Sequence, residues 1–259
     1  MSFFRHGLQT GIAQVITMGL GLFVGIIHAR YLGPEGLGVY ALLVLLYNLL
    51  YRVTNFGFAN SFKYYVGNRI YSFRSVYKLS VLISLVVSII AMFIGFLFYK
   101  LSIPTWEDID VKLYYVTLLI LPLHFMLVFS KSLLNAKLKI TFLNIIIIVR
   151  QVIHLITLII FLIFLNMNVM GAILSIILTE VFLVILAQYK LLSMYKNTDK
   201  TEQEMSYVAL FKGIRYYSGW SYLNLLISFF LQRAPVFLLK QYAGSFSRIG
   251  LYSTARSLG

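Results

Sequence analysis

The residues whose types and spacing could do chemistry lie on two consecutive apolar stretches. Arg150, His154 and Thr157 recur at i, i+4 and i+7 within Phe142–Leu165, so a helix there carries them as one polar stripe. Glu180 sits in the next stretch, Val169–Leu192, which must run back antiparallel after a short turn at Asn166–Asn168. Counted from their shared end, Arg150 and Glu180 are each about nine or ten residues in, roughly 13–15 Å at the helical rise, so they can meet as an ion pair. An ionisable group at the centre of a membrane helix costs at least about 2.5–3.5 kcal/mol on insertion scales, so each needs a partner or water. The stripe then has two readings. In a closed bundle it is a buried network and the pair holds two helices together. Lining a water-filled lumen, it is a surface for anionic groups such as phosphate, to which arginine offers bidentate donors.

Arg52, in the second apolar run, and Arg233, in the seventh, could add to that lumen. Glu180 is the single carboxylate within the apolar runs, so the balance is cationic and favours an anion path over a cation pump. His28 and His124 fall near the ends of runs one and four, where an interfacial polar group is the expectation. No Walker loop, HExxH, nucleophile elbow or pair of membrane carboxylates is present. Asp108 and Asp110, two apart in an acidic loop, are the nearest approach to a catalytic dyad. The chain is read as a non-enzyme without cofactor, metal site or ATP-driven step; the coupling ion stays open.

What must position these side chains is a set of membrane helices. The chain is 60% hydrophobic and 12% charged, against roughly 45–50% apolar and roughly 25% charged in soluble domains; its mean hydropathy is +0.87. A helix needs about 20 apolar residues to span the hydrocarbon. Such runs occur at Leu8–Ala29, Leu37–Phe62, Leu79–Tyr99, Leu113–Leu134, Phe142–Leu165, Val169–Leu192 and Ser218–Leu239, and an eighth begins at Ile249. The first is too long and too polar, with Gln9, Thr10 and Gln14, for a cleaved signal peptide. The expectation is an all-α polytopic transmembrane bundle: six helices over 1–192, a cytoplasmic linker over 193–212 containing the polar run Asn197–Glu204, and the start of a second bundle over 213–259. With the N-terminus inside, thirteen of the 22 basic residues fall in cytoplasmic segments and five in outer ones, which sets that orientation. The net charge of +14 thereby has a membrane explanation, and nucleic acid is excluded as a partner. Without cysteine there is neither a disulfide framework nor a thiolate metal site.

Smaller features refine this plan. Gly21, Gly25 and Ala29 share a face of the first helix and should admit a close neighbour. Pro122 and Pro235 should kink or loosen helices four and seven. Lys63–Lys78 alternates aromatic and basic residues, as a short surface helix or a solvated basic loop would. The stretch Ala29–Leu42, ARYLGPEGLGVYAL, returns in weaker form at Tyr242–Ala255, YAGSFSRIGLYSTA. Gly38-Val39-Tyr40 is answered by Gly250-Leu251-Tyr252, 212 residues on, as if one large unit ended and began again.

That first stretch, with Arg30, Gly33, Pro34, Gly38 and Tyr40, closely resembles the first-helix signature of bacterial polysaccharide flippases. These are the O-antigen and exopolysaccharide exporters (Wzx or RfbX type) of the MATE-like superfamily. Asn55-Phe56-Gly57-Phe58-Ala59 and Gly250–Ala255 also fit, and the likeness spans the chain. The resemblance implies a transporter of two six-helix bundles around a central cavity. It would move polyprenyl-diphosphate-linked oligosaccharide from the cytoplasmic to the outer leaflet of the bacterial inner membrane, with the bilayer and polysaccharide polymerase machinery as partners. It also implies cavity roles for Arg52, Arg150 and Arg233. Family members often carry an acidic residue where Gln232 precedes Arg233, which speaks against ion coupling there, and the chain looks truncated after the start of the second bundle. A small-molecule exporter of the same superfamily would want more membrane carboxylates. A glycan polymerase or ligase would want a large outer loop, whereas the outer loops here are short. A membrane scaffold would have no use for the polar stripe.

Overall fold

A computed structural model describes residues 2–101, 106, 108–197, 211–214, 217–219, 222–223, 227–228, 231, 235, 238 and 246–258. All its regular elements are helices: α1 (Ser2–Thr54), α2 (Phe58–Gly67), α3 (Phe73–Lys100), α4 (Val111–Leu118), α5 (Ile120–Ala136), α6 (Ile140–Leu158) with a π-turn over Ile159–Phe164, α7 (Asn168–Lys196) and α8 (Phe246–Leu258). Five helical stretches among the described residues are long and apolar enough to cross a membrane.

The first of the five is two limbs. Gly33 sits at φ 63°, ψ 179°, a conformation open essentially to glycine alone. Pro34 follows, withholding a backbone donor and disfavouring helical geometry before it. His28 and Tyr40, which a straight helix would hold about 18 Å apart, have ring centroids only 4.6 Å apart. The chain therefore folds back at Gly33, so the first stretch is two antiparallel limbs. The outgoing limb runs beside α6, where Asn144 Nδ2 donates to Thr10 Oγ1 at 3.1 Å and Val24 packs with Leu158 and Leu162. Gly21 meets Gln151, but a Cβ on Gly25 would meet nothing within 4 Å, so the small-residue stripe is not a helix–helix seam among the described residues.

The second limb ends at Thr54, and the turn at Asn55-Phe56-Gly57, with φ 47° at Phe56 and 75° at Gly57, starts α2. Lys63–Gly67 completes the short helix α2, which buries Phe58, Phe62 and Val66 and exposes Lys63 and Tyr64, and a turn then leads into α3, capped by Ser72, which takes up the rest of the basic segment. α3 offers small residues to its neighbours: Ser80, Ser84, Ser88, Ala91 and Gly95 are buried along one face. The three serine hydroxyls donate to their own helix at 2.7–2.8 Å, and Leu50 and Leu118 close over Gly95. Such faces let helices approach where apolar burial gives no drive. Asp110 caps α4, accepting from the Lys112 and Leu113 amides at 2.9 and 3.1 Å, which accounts for one member of the acidic pair structurally. The helix breaks at Leu119, just ahead of Pro122, and α6 loosens into its π-turn before reversing through Asn166 and Asn168, both at positive φ. Most of the 193–212 linker lies outside the described residues.

Candidate functional site

Three helices converge on one carboxylate. Glu180 of α7 is 1% exposed, and its Oε1 accepts from Arg150 Nη2 of α6 at 2.7 Å and lies 3.2 Å from His124 Nδ1 of α5. The second oxygen, Oε2, is buried with no hydrogen-bond partner among the described residues. Lys131, two turns along α5 from His124, places its ammonium within electrostatic reach of both Glu180 and Arg150. His124 in turn stands edge-on to Tyr47 and Tyr51 of α1, at 5.6 and 4.7 Å between centroids. A buried ion pair of this kind is stable only while both partners stay, because removing one strands the other away from water.

Arg150 differs from its partner in exposure. Its side chain keeps 35% of its surface, and it opens onto a cavity of about 150 Å³ lined by Tyr40, Val44, Tyr47, Gln151, His154, Ile176 and Thr179. That is on the order of five water volumes, enough for a phosphate-sized group. The wall is amphipathic: two phenol rings, an amide, an imidazole and a guanidinium with donors beyond the one given to Glu180. His154 Nδ1 lies 3.4 Å from Ser175 Oγ, and its ring is 6.0 Å from that of His28. His28 is buried, with Nε2 lacking a hydrogen-bond partner among the described residues. A second, apolar cleft of about 450 Å³ between α3, Phe56, Phe58 and Phe211 offers hydrocarbon contacts alone. Among the described residues no three metal-ligating side chains gather.

Of the residues singled out in the sequence, Arg150, His154 and Glu180 come together here. Thr157 does not reach the cavity: it is buried against α7, and its hydroxyl donates to the Ile153 carbonyl at 2.9 Å, so its own helix satisfies it. Arg52, at the last turn of α1, stands over the Tyr51 ring at 6.0 Å and does not line the cavity. Arg233 lies outside the described residues. His28 and His124 are interior groups, not interfacial ones, because the reversal at Gly33 and the approach of α7 cover them. Tyr47, Gln151 and Thr179 join the site without having been singled out in the sequence, and His124 joins it as a partner of Glu180. The available signals were the spacing Tyr40, Tyr47, Tyr51 on one limb and a glutamine beside Arg150 in an otherwise apolar run.

The same arrangement of helices occurs in solved structures, two of them MATE transporters. The MATE multidrug transporter DinF-BH, solved as a complex, superposes with a TM-score of 0.72 at 14% identity, covering 96% of this chain and 58% of that one. A point mutant of the Vibrio cholerae MATE transporter VcmN gives 0.62 at 14%, covering 86% and 54%. A structure named protein A gives 0.74 at 13%, covering 98% and 59%. These likenesses show the fold, and the chain spans between half and two thirds of the length of each. No curated protein matches the sequence significantly. The family described as polysaccharide biosynthesis protein matches over residues 4–259, and with that match along nearly its whole length, on a MATE-type membrane fold, the chain belongs to the polysaccharide biosynthesis protein family.

Proposed function

We propose that this chain supplies the first bundle (1–192), linker (193–212) and opening of the second bundle (213–259) of a transporter that moves polyprenyl-diphosphate-linked oligosaccharide across the bacterial inner membrane. The N-terminus is cytoplasmic in this reading, and the diphosphate is the group that Arg150 meets. The observation that carries it is the asymmetry of the ion pair. Glu180 is sealed, whereas Arg150 is tethered by one nitrogen and turns the rest of its guanidinium to a cavity with His154, Gln151 and two tyrosines. A tethered, partly exposed arginine is preorganised for a bidentate anion. Arg52 and Arg233 remain candidates for the same path further along. The small-molecule exporter reading is disfavoured, because Glu180 is neutralised by Arg150 and closed to the cavity, so no free carboxylate faces a cationic cargo among the described spans.

Arg150→Lys tests the assignment in a complete transporter. Lysine keeps the charge opposite Glu180 but loses the planar fork. Transport of the lipid-linked unit, read as surface polysaccharide in a flippase-null strain, should fall at least about tenfold while the protein accumulates normally. Unchanged transport would remove Arg150 from the site.

A further inference from the structure

The outgoing limb of α1 and the first half of α6 bring together side chains that the ion pair does not use. Thr10, Gln14 and Thr17 recur at i, i+4 and i+7 on α1, so they share one face. On α6, Asn144 and Gln151 stand seven residues apart on the face turned to that limb. Asn144 donates to Thr10 Oγ1 at 3.1 Å, and a Cβ on Gly21 would lie 3.5 Å from Gln151 Nε2. Every one of these side chains is polar and none is charged.

The two glutamines of this seam are open. Gln14 is exposed and Gln151 half-buried, and among the described residues neither side-chain amide makes a hydrogen bond. Amides elsewhere in the spans are satisfied: Asn48 donates to the Val44 carbonyl, and Gln188 accepts from Tyr77 and donates to Ser130, each at 2.8 Å. An amide left in hydrocarbon without a partner is costly, so the open pair needs water or a ligand. The two also differ in depth. Gln14 lies seven residues before Gly21, about 10 Å along the limb, whereas Gln151 follows Arg150 and lines the same cavity. The amides thus mark a line from the guanidinium toward the end of the molecule where α1 and α6 begin.

The group that fits such a line is uncharged, extended and rich in hydroxyls. A carboxamide offers two donors and an acceptor, which matches the donor and lone pairs of a hydroxyl. An anion would face the amide oxygens, and a hydrocarbon chain would leave the amides unpaired. We propose that this seam recognises the sugars attached to the diphosphate: Gln151 meets the first sugar, beside the anion at Arg150, and Gln14 meets a sugar further out. The two glutamines are then specificity determinants that read the arrangement of hydroxyls, while Arg150 holds the anionic part. The proposal rests on the diphosphate reading of Arg150 and adds the direction in which the glycan lies.

The test compares two probes on the purified complete transporter, with affinity read from ligand-dependent thermal stabilisation. One is the lipid-linked unit extracted from the flippase-null strain; the other is farnesyl diphosphate, a prenyl diphosphate without sugar. Gln14→Met and Gln151→Met keep the length of the side chain and remove the amide. Each should weaken binding of the lipid-linked unit about fivefold, the loss of one hydrogen bond of ~1 kcal/mol. Farnesyl diphosphate binding and the ligand-free melting temperature should not change. With a unit carrying the first sugar alone, Gln14→Met should keep the parent's affinity and Gln151→Met should not. Unchanged affinity for the lipid-linked unit, or equal weakening of both probes, would overturn the sugar face. A lowered ligand-free melting temperature with unchanged affinity would overturn it too, making the amides part of the packing between bundles. If methionine prevents accumulation, Gln14→Ala and Gln151→Ala are read in the same way. Arg150→Lys should weaken both probes; if it weakens neither, the diphosphate reading fails, and the glutamine variants still decide the sugar face on the lipid-linked unit.

Discussion

Removing either member of the Arg150–Glu180 pair should have unequal consequences. Arg150→Met leaves a carboxylate that is 1% exposed, with His124 at 3.2 Å as its remaining hydrogen-bonding neighbour and only the longer-range charge of Lys131 beyond it. An uncompensated buried charge of this kind costs about 3–5 kcal/mol. Glu180→Gln instead leaves Arg150, 35% exposed beside a cavity that can hold water, and replaces the carboxylate by an amide of the same shape. Its cost is that of imperfectly satisfied polar groups, about 1–3 kcal/mol. For a domain of this size 1 kcal/mol moves Tm by roughly 2–4 °C. Thermal unfolding in detergent should therefore show Arg150→Met lowered by roughly 6–20 °C and Glu180→Gln by roughly 2–12 °C. The double variant Arg150→Met/Glu180→Met, with no charge left to strand, should recover most of the loss. Equal destabilisation by the two single changes, or a double variant no better than Arg150→Met, would refute the account of a sealed carboxylate held by a solvent-facing cation.

Two further expectations concern the fold. Gly33→Ala places a Cβ at φ 63°, ψ 179°, at a cost of about 1–3 kcal/mol, and should lower the melting temperature without altering spectroscopic helix content; an unchanged melting temperature would mean that the reversal does not depend on that conformation. For orientation, Asp108→Cys should be labelled by an impermeant thiol reagent from outside the cell and Asn197→Cys should not; the converse pattern would invert the topology.

The all-helical, membrane-length character of the chain was legible in the sequence, because a helix crossing hydrocarbon needs about 20 mostly apolar residues. The break ahead of Pro122 follows from residue chemistry, whereas the turn at Asn55-Phe56-Gly57 interrupts an apolar run over Leu37–Phe62 that reads as one helix. The periodicity of Arg150 and His154 likewise marked a polar face. What that face meets was not encoded locally. His124 joins Glu180, and Thr157 turns to α7, because of the rotation and depth at which whole helices dock. Tyr40 reaches His28 because one glycine reverses a 53-residue helix. The repeated glycine motif showed in the sequence as a faint echo. Only the tertiary structure brought its two copies into reciprocal contact, since residues 212 positions apart meet through packing that no periodicity along the chain records.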